Sequence, residues 1–304
     1  MMHIFLKRIV NLIVRAMLLA VTLSCFSAYA QDNDILVDIN WLSRHLHDDN
    51  VIIVDVRTKK EYLQNHIPSA VNIPVMKTYN PVYPKDRVAN LPYIRKLFSQ
   101  AGIGSEQTIV IYDNNEYINA GRVFWVFEVY GHKNVKLLNG GFALWQKKNY
   151  PLSNEAVKVT ATDYVPTIEP ERLITRLDMR LAIEDESKVI VDARSYDEYI
   201  GKRSIASRFG HIPHAKNIPA DVNFDMVDGV KVLKPVSELK KIYGNLEHGK
   251  KIYTYCNKGK GSSLIYALLR QLGYDTAHYD GSWFEWGNDA TLPIEQPQKL
   301  RQIK

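Results

Sequence analysis

The stretch Lys251-Ile252-Tyr253-Thr254-Tyr255, followed by Cys256-Asn257-Lys258-Gly259-Lys260-Gly261 and then by Ser262 to Leu272, reads as three pieces in succession. The first five residues are a short β-branched and aromatic run of the kind that forms a buried strand. The last piece has helix length, with Leu264, Leu268 and Leu272 at helical spacing and Gly273 where a helix stop belongs. Between them the loop carries a cysteine, two lysines and two glycines. Strand, loop and helix form the repeating unit of an open α/β sheet, whose ligands bind at the carboxyl ends of the strands. Cys256 therefore stands where this architecture places its chemistry.

Moving outward, the same grammar occurs twice. Ile52-Ile53-Val54-Asp55-Val56-Arg57 with Glu61-Tyr62 returns as Val189-Ile190-Val191-Asp192-Ala193-Arg194 with Glu198-Tyr199. His66-Ile67-Pro68 and Asn72-Ile73-Pro74 return as His211-Ile212-Pro213 and Asn217-Ile218-Pro219. Ile109 to Asp113 matches Ile252 to Cys256, so Asp113 stands opposite Cys256, and Gly140 to Trp145 matches Gly281 to Trp286. An offset near one domain length signals a duplicated domain rather than a solenoid of about 20–50-residue repeats. A second helix is expected over 120–130, with Gly131 as its stop. The fold class predicted is α/β, two similar domains, each a parallel sheet flanked by helices. The domains are set at 31–151 and 171–304, with 152–170 as linker.

Hydrophobic residues at 46% and charged residues at 24% of the 304 are ordinary for a folded soluble chain. Residues 1–30 hold no Asp or Glu, carry Lys7, Arg8 and Arg15, continue through the apolar run Ala16 to Leu23, and end at Ala28-Tyr29-Ala30. That order predicts a secretory signal peptide, 1–30, cut after Ala30, and export to the periplasm or the medium. A membrane anchor is the competing reading. It is disfavoured because a bilayer core needs about 20 apolar residues and Arg15 interrupts the segment. A lipoprotein acylated at Cys25 fits poorly, since Thr22 stands where Leu is wanted. Signal removal leaves 36 basic against 33 acidic residues, a net charge of +3. No basic run of five exists, so neither a nucleic-acid partner nor stable membrane insertion of the mature chain is expected. Cys25 leaves with the signal, so Cys256 is then the one cysteine and no internal disulfide forms.

Gly259 and Gly261 allow the loop to fold tightly with its N–H groups turned inward. The helix start adds a partial positive charge, and Lys258 and Lys260 add two formal ones. Such surroundings favour a thiolate and hold an anion beside it. Cys256 is therefore read as a nucleophile, with Asn257, Lys258, Gly259, Lys260, Gly261 and Ser262 as the substrate-binding loop. Lys258 is expected to take the anionic end of the substrate. For Lys260 the directions toward the site and toward solvent both stay open. The chemistry calls for no metal and no organic cofactor.

Asp192-Ala193-Arg194, Gly210-His211-Ile212-Pro213, Asn217-Ile218-Pro219, Cys256 to Gly261, and Asp280-Gly281-Ser282-Trp283-Phe284-Glu285-Trp286, in this order, resemble the marks of the tandem-domain rhodanese sulfurtransferases. The likeness covers about residues 34–292. It implies a catalytic second domain and an inactive first one, which suits Asp113 in place of a thiol. It also implies a small sulfur donor, a Cys256 persulfide, and a thiol or cyanide acceptor. Family members using thiosulfate often carry two basic residues after the cysteine, of which Lys258 keeps the second. Mercaptopyruvate enzymes carry small or hydroxylated residues there, so thiosulfate is favoured. A donor-binding arginine of the family falls at Glu198, and Arg203 or Arg208 is expected to replace it.

Cysteine phosphatases and arsenate reductases share such a loop, but need Arg six residues after Cys, where Ser262 stands. A nucleotide P-loop fits worse, because Gly261 follows Lys260 instead of Ser or Thr. A non-catalytic sulfur- or anion-binding module is the remaining alternative. Asp192, Arg194 and His211 have twins in the half without a cysteine (Asp55, Arg57 and His66), and are read as structural residues near the site.

Overall fold

The computed structural model describes residues 34–82 and 86–296; the expected signal peptide lies outside them. The first half runs β1 (Leu36–Val37), α1 (Ile39–Arg44), β2 (Val51–Asp55), α2 (Lys59–Gln64), β3 (Val71–Asn72), α3 (Leu91–Gln100), β4 (Thr108–Tyr112), α4 (Ile118–Val129), β5 (Val135–Leu138) and α5 (Gly141–Lys147). The second half runs β6 (Leu173–Ile174), α6 (Arg176–Ala182), β7 (Lys188–Asp192), α7 (Tyr196–Tyr199), β8 (Lys216–Asn217), a hairpin of β9 (Phe224–Val227) and β10 (Val230–Leu233), α8 (Val236–Tyr243), β11 (Lys251–Tyr255), α9 (Gly261–Gln271), β12 (Thr276–Tyr279) and α10 (Ser282–Trp286).

The sheets have strand orders β1-β5-β4-β2-β3 and β6-β12-β11-β7-β8, parallel throughout. Helices cover both faces of such sheets, so central strands read as unbroken apolar runs. Ile109, Val110 and Ile111 of β4 are all fully buried. The helices expected over 120–130 and 262–272 are α4 and α9. The segment after α5 runs along the first domain, where Thr162 donates to the Ser99 carbonyl and Thr167 to that of Tyr130.

The β9–β10 hairpin was not read from the sequence; at the corresponding place in the first domain the described residues form an antiparallel bridge between Tyr79 and Val88. The hairpin's signal is the Asp228-Gly229 pair between two short runs, a strong hairpin mark. It docks on the first domain: the Tyr117 hydroxyl donates to the Lys231 carbonyl at 3.2 Å, and the Leu233 amide donates to Asn139 Oδ1 at 2.8 Å.

The helices that follow the two equivalent loops, α4 and α9, pack against each other. Gly121 makes this possible: a Cβ there would stand 2.8 Å from Leu264 Cα, inside backbone. One continuous core results, holding Val54, Ile111 and Phe124 of the first half with Val191, Leu264 and Leu268 of the second. The pairing also sets the two loops side by side, which brings the first domain to the edge of the Cys256 site.

Candidate active site

Cys256 follows β11 directly, and its thiol-bearing residue is only 6% exposed. The Asp280-to-Trp286 segment grips its backbone: Cys256 N–H donates to Ser282 Oγ at 3.2 Å, and its carbonyl accepts from the Trp283 amide at 2.8 Å. The loop then doubles back over the sulfur. A Cβ on Gly261 would lie 3.9 Å from Cys256 Sγ. Gly259 has φ +75°, and a Cβ there would come within 2.9 Å of Asp280 Oδ1, so only glycine fits. None of the amide groups of Asn257 to Gly261 donates a hydrogen bond to an acceptor among the described residues. They lead into the first turn of α9, whose dipole adds to them.

A cavity of about 740 Å³ opens over Cys256. Met76, Tyr79 and Ile118 of the first domain line it together with Ser195, Ile205 and Ala220 of the second. Both lysines border it. Lys258 is exposed, with Nζ 4.6 Å above the Phe284 ring. Lys260 is half-buried and does not point to solvent: Nζ donates to Asn119 Oδ1 of the first domain at 3.1 Å. Burial, then the nearby Arg122 charge, hold the Lys260 ammonium below its ordinary value. Ser262, at the phosphatase arginine position, is fully buried, and its hydroxyl has no partner among the described residues.

Neither arginine expected to replace the family's donor-binding residue borders this cavity. Arg208 gives Nη1 to the Leu292 carbonyl at 2.7 Å, Nη2 to that of Trp286 at 2.8 Å, and Nε to that of Gly287 at 3.2 Å. It satisfies carbonyls left open at the end of α10, a structural task. Arg203 is exposed and lies 3.8 Å from Asp197. The position they were meant to fill is occupied by a helix cap. Glu198 Oε2 accepts from the Ser195 amide and hydroxyl, as Glu61 does from Thr58 in the first domain. This is a capping box, legible as Ser-x-x-Glu. Glu198 Oε1 also accepts from Asn257 Nδ2 at 2.7 Å, tying the cap to the loop. Burial opposes the charge on Glu198, but the bonds from Ser195 and Asn257 outweigh it and keep the carboxyl below its usual range.

The residues read as structural repeat one geometry in both halves. Asp192 and Arg194 are paired at 2.6 Å, Asp55 and Arg57 likewise. Tyr255 donates to Asp192 at 2.6 Å and Tyr112 to Asp55 at 2.7 Å. His211 stacks on Tyr199 and His66 on Tyr62, each with ring centroids 3.8 Å apart. Arg194 additionally borders the cavity, which Arg57 has no occasion to do.

In the first domain Asp113 answers to Cys256. Its carboxylate accepts from the amides of Tyr117 at 3.0 Å and Ala120 at 3.2 Å, so this loop binds its own anion. Burial raises the Asp113 carboxyl to about 6, against the amides that favour its charge. A folded value above the ordinary one means that Asp113 contributes stability at low pH, which is lost as pH rises from about 4 to 6. Asp113→Ala is therefore expected to flatten stability over that window by up to about 3 kcal/mol relative to wild type. Sulfur transfer is expected to stay largely intact. Urea denaturation at pH 4, 5, 6 and 7 reads the difference, and identical pH slopes for both proteins would refute it.

Two domains also meet behind the loop. Arg122 of α4, fully buried, pairs with Asp280, 3% exposed, and Nη2 lies 3.2 Å from Oδ2. The sequence reading missed Arg122, because nothing local marks a helix arginine as reaching another domain.

A profile of the rhodanese-like domain matches the chain twice, at residues 38–148 and 175–289. A protein of Saccharopolyspora erythraea named "Putative thiosulfate sulfurtransferase" is 34% identical over 279 residues, 88% of this chain and 98% of its own. One of the same name from Haloferax volcanii is 33% identical over 291 residues, 89% of this chain and 98% of its own. Among solved structures, SseA from Escherichia coli, described with the fold and mechanism of 3-mercaptopyruvate sulfotransferases, matches with a TM-score of 0.72 and 25% identity. That match covers 82% of this chain and 99% of SseA. Two matched copies on two like-ordered sheets, and relatives matched nearly end to end, place this chain in the rhodanese-like family, in the two-domain form whose relatives are named sulfurtransferases.

Proposed function

We propose that the protein takes the outer sulfur of thiosulfate onto Cys256 and passes it to a thiol or to cyanide. The observation that carries this is the loop itself: a thiol at the end of β11, over which the loop folds back, and loop amides that have no acceptor among the described residues. In the first half-reaction the Cys256 thiolate attacks the outer sulfur of thiosulfate. A Cys256 S–S bond forms, the bond to the sulfonate sulfur breaks, and sulfite leaves with that electron pair. In the second, cyanide or a thiolate attacks the outer sulfur of the persulfide, and Cys256 recovers its thiolate. The amides and the start of α9 stabilise anionic charge in both steps.

Thiosulfate is favoured as donor because two lysines, and no short hydroxylated side chain, border the cavity from the cysteine loop. Lys260 is the stronger candidate for binding the donor, since a half-buried charge is less screened than an exposed one. Loss of one charge-assisted hydrogen bond costs about 1.5–3 kcal/mol. Lys260→Ala is thus expected to raise the thiosulfate KM roughly tenfold or more, and Lys258→Ala roughly threefold or less. Thiocyanate formation from cyanide with each donor in turn, thiosulfate and 3-mercaptopyruvate, tests the reading. A higher kcat/KM with 3-mercaptopyruvate would reassign the donor. Failure of either donor to add sulfur to Cys256, by intact mass, would leave only the anion-binding module.

A further inference from the structure

We propose that Arg122, a residue of the first domain, is a positioning residue for chemistry in the second: it cancels a carboxylate that the fold sets behind the Cys256 loop. This rests on the reading of Cys256 as the nucleophile. Asp280 is fixed there by its structural duties. It accepts the Val88 amide at 2.7 Å, and it leads the turn whose Ser282 and Trp283 hold the Cys256 backbone. Gly259 shows how close it lies, since a Cβ on that residue would meet Asp280 Oδ1 at 2.9 Å and Arg122 Nη1 at 3.2 Å. The scaffold thus puts a buried negative charge directly behind a loop built to hold anions.

Unopposed, that charge would repel the thiolate, the persulfide and an anionic donor alike. At an effective dielectric constant near 20, a unit charge several ångströms away changes an equilibrium by roughly tenfold or more. Arg122 answers it with a two-pronged ion pair. The guanidinium is itself held between aromatic faces, 4.5 Å from the Tyr79 ring and 4.7 Å from that of Trp125. Tyr79 also borders the cavity, and Trp125 lies on α4. The remaining charged groups on this cavity, Lys258, Lys260, Arg194, Glu198, Asp86 and Asp221, lie in its wall. The first domain, which has no thiol, therefore still sets the charge under which the second one works.

The test reads charge at the sulfur without turnover. Iodoacetate and iodoacetamide alkylate the same thiolate, differing in charge, so the ratio of their rates reports the potential at Cys256. Asp280→Asn, which leaves Arg122 uncancelled, is expected to raise the iodoacetate-to-iodoacetamide ratio on the order of tenfold. Arg122→Met is expected to lower it by a similar factor. Arg122→Lys and the double variant Arg122→Met/Asp280→Asn are expected to stay within about twofold of wild type. A purely structural ion pair would change both alkylation rates in step and leave the ratio fixed in every folded variant, which overturns the proposal. If Arg122→Met does not fold, the comparison of Asp280→Asn with the double variant decides. Because alkylation requires no sulfur donor, shifted ratios in a protein that transfers no sulfur would overturn the proposed function and leave this inference standing.

Discussion

Cys256→Ser is expected to abolish sulfur transfer, with thiocyanate formation falling by at least about a thousandfold. A hydroxyl in the same place keeps the loop, the amides and the lysines, but it forms no persulfide. Donor binding is therefore expected to survive, because the groups that hold an anion are untouched. Intact mass after incubation with thiosulfate supplies the second readout, with one added sulfur on the wild type and none on the variant. Appreciable turnover by Cys256→Ser would remove the covalent mechanism. Cys256 is the one cysteine after residue 25, so no neighbouring thiol can substitute and a negative result is clean.

The second large effect concerns stability. Asp192 and Asp55 are each fully buried, and each is bound by an arginine and a tyrosine. Removing one partner of such a set strands a buried guanidinium, at a cost of about 3–5 kcal/mol. Asp192→Ala and Asp55→Ala are therefore expected to destabilise the protein by similar amounts. They differ in consequence, because Arg194 borders the cavity and Arg57 does not. Asp192→Ala is expected to lower kcat/KM as well, and Asp55→Ala to leave it near wild type in the folded fraction. Chemical denaturation with activity normalised to folded protein separates the two. Wild-type stability with lost turnover in Asp192→Ala would make Asp192 a participant in the chemistry rather than a brace.

What the sequence made legible was what chain order alone encodes. The run Lys251 to Tyr255, the glycine-and-lysine loop and the apolar spacing after it are local signals, and they gave strand, loop and helix within a residue or two of the structure. The duplication was legible for the same reason, since Asp55 and Asp192, or His66 and His211, sit in recurring short patterns. Two misses were also local and readable: Asp228-Gly229 marks the hairpin, and Ser195-x-x-Glu198 marks the cap that displaced the expected arginine. The rest were not. The directions of Lys258 and Lys260 depend on Phe284 and Asn119, which lie far away in sequence. Arg208 is held by carbonyls after residue 285, and Arg122 by an aspartate 158 residues on. Such partners are set by tertiary packing, which no short pattern announces.

The single core shared by α4 and α9 has a consequence for whether the two halves can be separated. The half that carries Asp113 where the other carries Cys256 is nonetheless built into that core. Without the first half, Leu264, Leu268 and their neighbours would face water, and the hairpin would lose its seat on Asn139. Without the second, the face of α4 at Gly121 and Phe124, which meets Leu264 and Tyr266, would be stripped in the same way. A stop codon or deletion between the halves is expected to yield no half-active remnant, only two apolar surfaces with nothing to cover them.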